Sequence, residues 1–188
     1  FKSYKSYYQF QREVISRNRY IHNSDVKDFL KTVLETSKSR IEGVKEGSVL
    51  YRAQLGYDLN PPYVGKEYID YIPCAFNHER MKPFHNSASE GRANPKGISY
   101  LYLSTDKNTA MAEVRPWIGS YISLAQFKLS RSVKLINCTS ENKGTMIYFK
   151  EPTSEKREIA VWKDIDKAFS MPEINPIKSI GIHSVLKN

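Results

Sequence analysis

Between residues 91 and 116 the chain reads GRANPKGISYLYLSTDKNTAMAEVRP, which sets a cation, a phenol and a carboxylate on consecutive segments. Arg92 and Lys96 flank an Asn-Pro turn and can grip phosphate oxygens, Arg as a bidentate fork and Lys as a point charge. Gly91 and Gly97 let the backbone approach a ligand closely. Tyr102 offers a flat face for a base or a nicotinamide ring. Glu113 can hold a ribose hydroxyl and stabilise positive charge on a sugar as a glycosidic bond breaks. Each residue also has a plain structural explanation. Tyr102 can be a core aromatic with a satisfied hydroxyl, Arg92 a solvated loop cation, and Glu113 a helix-surface charge facing Arg115 or Lys107. Neither GxGxxG nor a P-loop pattern occurs.

The elements that must position these groups are predicted as follows. Phe10, Val14 and Ile15 form the apolar stripe of a first helix. Ser24 caps a second, with Asp25 in its first turn and Val26, Phe29, Leu30, Val33 and Leu34 on one face. Gly43 and Gly47 close this helical lead-in. Val49, Leu50 and Tyr51 predict a short strand ending at Arg52. Residues 55–98 are rich in Gly, Pro, Asn, Tyr and charge, the texture of a binding loop or lid. A strand is expected at 98–104. A short helix capped by Thr105 or Asp106 should follow and stop before Pro116. Strands are expected at 120–129 and 132–137, an amphipathic helix at 157–170, and a last short strand including Ile180 and Ile182. This pattern predicts an α+β fold with a mixed or antiparallel sheet and flanking helices.

The 188 residues suffice for one domain with a core. Residues 1–47 read as a helical extension and 48–188 as the principal domain. With 40% apolar and 26% charged residues, the composition is that of an ordinary soluble protein. No run approaches the length of a membrane span, and the N-terminal stretch shows no apolar signal-peptide core. Cys74 and Cys138 lie far apart and lack zinc spacing, so two reduced thiols and a cytoplasmic location are expected, with no metal. The net charge of +9 suits an anionic partner or solubility alone. Its basic residues are scattered among acidic ones, without a basic recognition helix, so direct nucleic-acid binding is not expected. His85 and His183 could carry protons near neutral pH, although lone histidines are more often structural.

The block resembles the core motif of the RES family. The resemblance rests on Gly91-Arg92-Ala93-Asn94-Pro95-Lys96-Gly97, Leu101-Tyr102-Leu103 and Ala112-Glu113-Val114. Leu50-Tyr51-Arg52-Ala53 is similar to the family's first arginine strand. Arg80-Met81 with Pro83 and the N-terminal helices are similar to features of its longer members, and residues 122–127 fit the strand after the helix. Similarity is good over roughly residues 48–130. It then thins, because residues 172–179 lack the helix that longer members carry before their last strand.

The resemblance implies an ADP-ribosyltransferase-like core that binds NAD⁺ as a substrate in a cleft. Arg52 and Arg92 would hold the diphosphate and ribose side, with Asn94 and Lys96 joining them. Tyr102 would stack on the nicotinamide or its ribose, and Glu113 would orient the ribose and stabilise an oxocarbenium-like state. The family's serine fits Ser184 best, with Ser123 the other candidate. The implied activity is NAD⁺ cleavage by a toxin, with water, inorganic phosphate or a protein side chain as acceptor. The implied partner is an Xre-type helix-turn-helix antitoxin. A rival of another class is a non-catalytic basic RNA-binding module, in which thirteen tyrosines interleaved with Lys and Arg stack bases, though no RNP, KH or OB signature is present.

Overall fold

Asn23, not Ser24, caps the second helix: its side-chain oxygen accepts the Val26 amide at 2.9 Å, satisfying one of the donors a helix start leaves open. Both residue types cap well, so the shift is a single position. The computed structural model describes residues 1–16, 22–59, 63–64, 67–68, 71–84, 94–141, 144 and 147–170. In chain order its elements are α1 (Ser6–Ser16), α2 (Ser24–Ser37), a 3₁₀ turn (Lys38–Arg40), β1 (Ile41–Val44), β2 (Val49–Leu55), β3 (Asp58–Leu59), β4 (Tyr63–Val64), β5 (Glu67–Tyr68), β6 (Pro73–Cys74), α3 (Lys107–Glu113), β7 (Ile122–Lys128), β8 (Val133–Ile136) and α4 (Ser154–Ser170). Helices and small β ladders in one chain make the fold α+β.

The chain divides into two compact units that do not follow sequence order. The first comprises Phe1–Gly43, Ser89–Lys96 and Lys134–Asn188, and the second Val44–Ala88 and Gly97–Val133. In the first, α1, α2 and α4 share one apolar core. Tyr7, Phe10 and Val14 of α1 meet Val26, Phe29 and Val33 of α2 and Val161, Trp162 and Ile165 of α4. Recurrence at three and four residues puts each set on one helical face. Phe10 and Phe29 stack at 4.8 Å. Trp162 donates its indole N–H to Thr36 Oγ1 at 3.1 Å, and the Arg40 guanidinium lies over its ring at 4.5 Å. Ile15, Leu34 and Ile159, expected on apolar faces, are exposed. α4 begins at Ser154, three residues before the expected start.

The second unit is built on the antiparallel β2–β7 ribbon, in register from Val49↔Lys128 to Leu55↔Ile122. β2 runs three residues past Arg52, where the sequence predicted its end, because Leu124 to Ile122 continue to pair with it. The strand expected at 98–104 is reduced to one bridge, in which Tyr51 and Ser104 exchange amide hydrogen bonds at 2.7 and 2.8 Å. α3 packs on β2. The loop-like 55–98 stretch contains the two-residue pairs β3–β6 and β4–β5. Among the described residues the sheets are four two-stranded ladders. The final strand expected around Ile180 and Ile182 lies outside the described residues.

Candidate functional site

Strand alternation and register define the surroundings of Arg52. It shares a face of the ribbon with Leu50 and Gln54, and with Ser123, Ala125 and Phe127 across the ladder. The Phe76–Phe84 stretch lies on that face, since Gln54 Nε2 donates to the Arg80 carbonyl at 3.3 Å and the Phe76 amide donates to Ser123 Oγ at 2.9 Å. Arg80 holds this stretch in shape, its guanidinium 5.0 Å from the Phe76 ring and 5.2 Å from that of Phe84. Met81 is buried beside it in sequence. Arg52 is therefore partly withdrawn from water, and burial pushes its guanidinium below the ordinary arginine value. Its Nη1 is buried and has no hydrogen-bond partner.

Ser104 leads into α3: its hydroxyl accepts the Asp106 amide at 3.1 Å. Asp106 caps the helix, accepting the Thr109 amide at 2.7 Å and the Thr109 hydroxyl at 3.0 Å, and these bonds hold its carboxyl below the usual range. Glu113 is the last residue of α3 and is exposed. Neither Lys107 nor Arg115, the partners a surface-charge role would give it, forms an ion pair with it. The backbone then turns at Arg115, whose φ of 47° is left-handed.

Arg52, Tyr102 and Glu113 belong to the same compact unit. Tyr102 is about half exposed, at 51%, so a core-aromatic role does not describe it. Asn94 and Lys96 belong to the other unit; Asn94 is buried and Lys96 exposed. Arg92 and Ser184 lie outside the described residues, as do His85 and His183. Ser123 is a structural tie: only 1% exposed, it donates to the Gly56 carbonyl at 2.8 Å while accepting the Phe76 amide. Sequence reasoning missed this tie and Arg115. The signal for the tie was Gly56, which has φ 107° and would place a Cβ 2.8 Å from the Phe76 ring. Cys74 and Cys138 are free thiols, and burial raises that of Cys138. Among the described residues no helix is long and apolar enough to cross a membrane.

A family model for the RES domain matches residues 70–171, just over half of the 188-residue chain. The chain belongs to the RES-domain family. The matched stretch takes in the Arg80–Pro83 segment, the Gly91–Gly97 sequence, Tyr102 and Glu113, while β2 with Arg52 precedes it. No curated protein and no solved structure matches this chain.

Proposed function

We propose that this chain is an NAD⁺-consuming enzyme of the toxin type, which breaks the nicotinamide–ribose bond. The observation that carries the reading is Arg52. A buried guanidinium nitrogen without a partner costs about 1–3 kcal/mol, and a diphosphate oxygen bound there would remove that cost. Tyr102 supplies an exposed ring in the same unit, suited to stacking on nicotinamide or its ribose. Glu113 supplies a carboxylate not committed to an ion pair, suited to a ribose hydroxyl and to the positive charge that develops at C1′. The C1′–N bond breaks with its electron pair leaving on nicotinamide, and the acceptor oxygen attacks C1′ and loses its proton. Water gives ADP-ribose; inorganic phosphate gives its phosphorylated counterpart. The family resemblance also gives Arg92, Asn94 and Lys96 a phosphate-binding role and Ser184 a catalytic one, on an ADP-ribosyltransferase-like core. In the cytoplasm such a reaction depletes NAD⁺ and calls for a restraining partner, here an Xre-type helix-turn-helix antitoxin.

The test follows free nicotinamide when the purified chain meets NAD⁺ with and without phosphate, beside Glu113→Ala. We expect release that Glu113→Ala lowers by roughly 100-fold or more. A phosphate requirement would identify phosphate as acceptor, and ADP-ribose recovered on protein would identify a side chain. An absence of release together with tight, salt-sensitive RNA binding would replace this reading with the basic RNA-binding module.

A further inference from the structure

A diphosphate oxygen that bonds to Arg52 must come within about 2.7–2.9 Å of the nitrogen. Nη1 of Arg52 is closed even to water. Whatever covers that nitrogen therefore has to move before a ligand reaches it. Arg52 shares its ribbon face with Gln54 and Ser123, and the Phe76–Phe84 stretch lies on that face.

This stretch is built to move as a unit. It holds its own shape: Asn77 Oδ1 accepts the Arg80 amide at 2.9 Å, the Asn77 carbonyl accepts the Met81 amide at 3.2 Å, and the Lys82 ammonium donates to the Glu79 carboxylate at 2.8 Å. It is pinned at its ends, where the Phe76 amide donates to Ser123 Oγ and the Ser99 hydroxyl donates to the Phe84 carbonyl. Between the ends, among the described residues, one hydrogen bond joins it to the ribbon, from Gln54 Nε2 to the Arg80 carbonyl, and at 3.3 Å it is long. Met81 supplies the seal. It is 2% exposed, while Arg80 and Lys82 on either side are exposed. A flexible thioether fills an irregular seat and leaves it without breaking a strong polar contact. We propose that Asn77–Pro83 is a lid over Arg52, closed in this structure, and that the substrate diphosphate binds after it lifts. The proposal rests on the reading of Arg52 given above. It makes the apparent affinity for substrate the intrinsic affinity multiplied by the fraction of molecules with the lid open.

Met81→Asp tests it, because a carboxylate in the seat of Met81 favours the open lid. The first readout needs no substrate. Phenylglyoxal closes a ring on two guanidinium nitrogens, so the rate at which its adduct forms at Arg52, followed by mass spectrometry, reports access to Nη1. The second readout is the KM for NAD⁺ in nicotinamide release, and circular dichroism checks the fold. We expect labelling of Arg52 to speed up by roughly 10-fold or more and KM to fall by a similar factor. Gln54→Ala removes only the long bond to the Arg80 carbonyl. It should fold as the parent does and move both quantities in the same direction by roughly 2–10-fold, and it decides the matter should Met81→Asp not fold. A merely structural Met81 predicts lower stability with neither quantity moved. Faster labelling with no nicotinamide released by parent or variant would leave the lid standing and remove NAD⁺ as its substrate. Labelling at the parent rate in folded variants, with release at the parent KM, would overturn the lid.

Discussion

The three-helix core and the β2–β7 ribbon handle burial in opposite ways. In the helical unit each long helix commits an apolar face, and nine side chains close into one cluster. In the ribbon unit the buried hydrophobic residues are Ala53, Met81 and Ala110 alone among the described residues, and the ladder's own Leu55 is exposed. Buried polar groups occur in both: Trp162 and Thr36 satisfy one another inside the helical core, where the Tyr7 hydroxyl and the Lys163 ammonium stay without a partner, and Arg52 on the ribbon keeps a buried nitrogen that no protein group meets. The contrast teaches that the helices supply most of the apolar burial, while Arg52 of the candidate site sits on the ribbon, where little apolar burial offsets its unpartnered nitrogen.

The largest effect that would break this comparison is in the helical core. Trp162→Ala should destabilise the protein by about 3–5 kcal/mol, through the cavity, the lost bond to Thr36 and the lost contact with Arg40. Chemical denaturation followed by circular dichroism reads this loss, and a change under 1 kcal/mol would show that the cluster is not the stabilising core.

Next is the tie in the ribbon. Ser123→Ala removes a hydroxyl that joins Gly56, β7 and the Phe76 amide, and should cost about 2 kcal/mol. Because that hydroxyl is engaged on both sides, nicotinamide release per folded molecule should fall much less than with Glu113→Ala. A Ser123→Ala enzyme that folds fully yet has lost turnover would instead assign Ser123 a catalytic role.

The smallest effect sharpens the helical side. Burial pushes the Tyr7 phenol up to about 12, with the nearby Asp164 charge adding to the shift. Because burial and not a partner raises it, the phenol adds nothing at neutral pH; the fold instead loses stability, on the order of 2 kcal/mol, as pH rises from about 10 to 12, where the unfolded chain ionises and the folded phenol resists. Its hydroxyl is also buried without a partner. Tyr7→Phe should therefore leave stability at pH 7 unchanged or raise it by about 1 kcal/mol. It should also flatten the alkaline decline in melting temperature; an unchanged decline would remove Tyr7 as its cause.

The helical half was the more legible in sequence, for a physical reason. Period-3.6 patterning is local, so Phe10, Val14, Val26, Phe29, Val33, Val161, Trp162 and Ile165 could be read as core from their spacing alone. Which helices share a core is not local, and the pairing of α1 and α2 with α4 across more than a hundred residues left no such trace. Strand ends failed for the same cause. β2 continues past Arg52 because β7 continues opposite it, and the 98–104 segment bridges only at Ser104 although its composition favours a strand. For the candidate site, the motif spacing located Tyr102 and Glu113 and the α3 cap between them. It could not show that Ser123 is engaged on both sides or that Arg52 lacks a partner, since both depend on how the Phe76–Phe84 stretch lies on the ribbon.

Arg52→Met tests the central claim most directly, with nicotinamide release and thermal melting measured on the same preparation. The substitution keeps an unbranched side chain on β2 and removes the unpartnered nitrogen. The account predicts NAD⁺ cleavage reduced by roughly 100-fold or more, with a melting temperature unchanged or a few degrees higher. Cleavage at the parent rate would contradict it, because the group that the ribbon holds unpartnered would then have no part in the reaction.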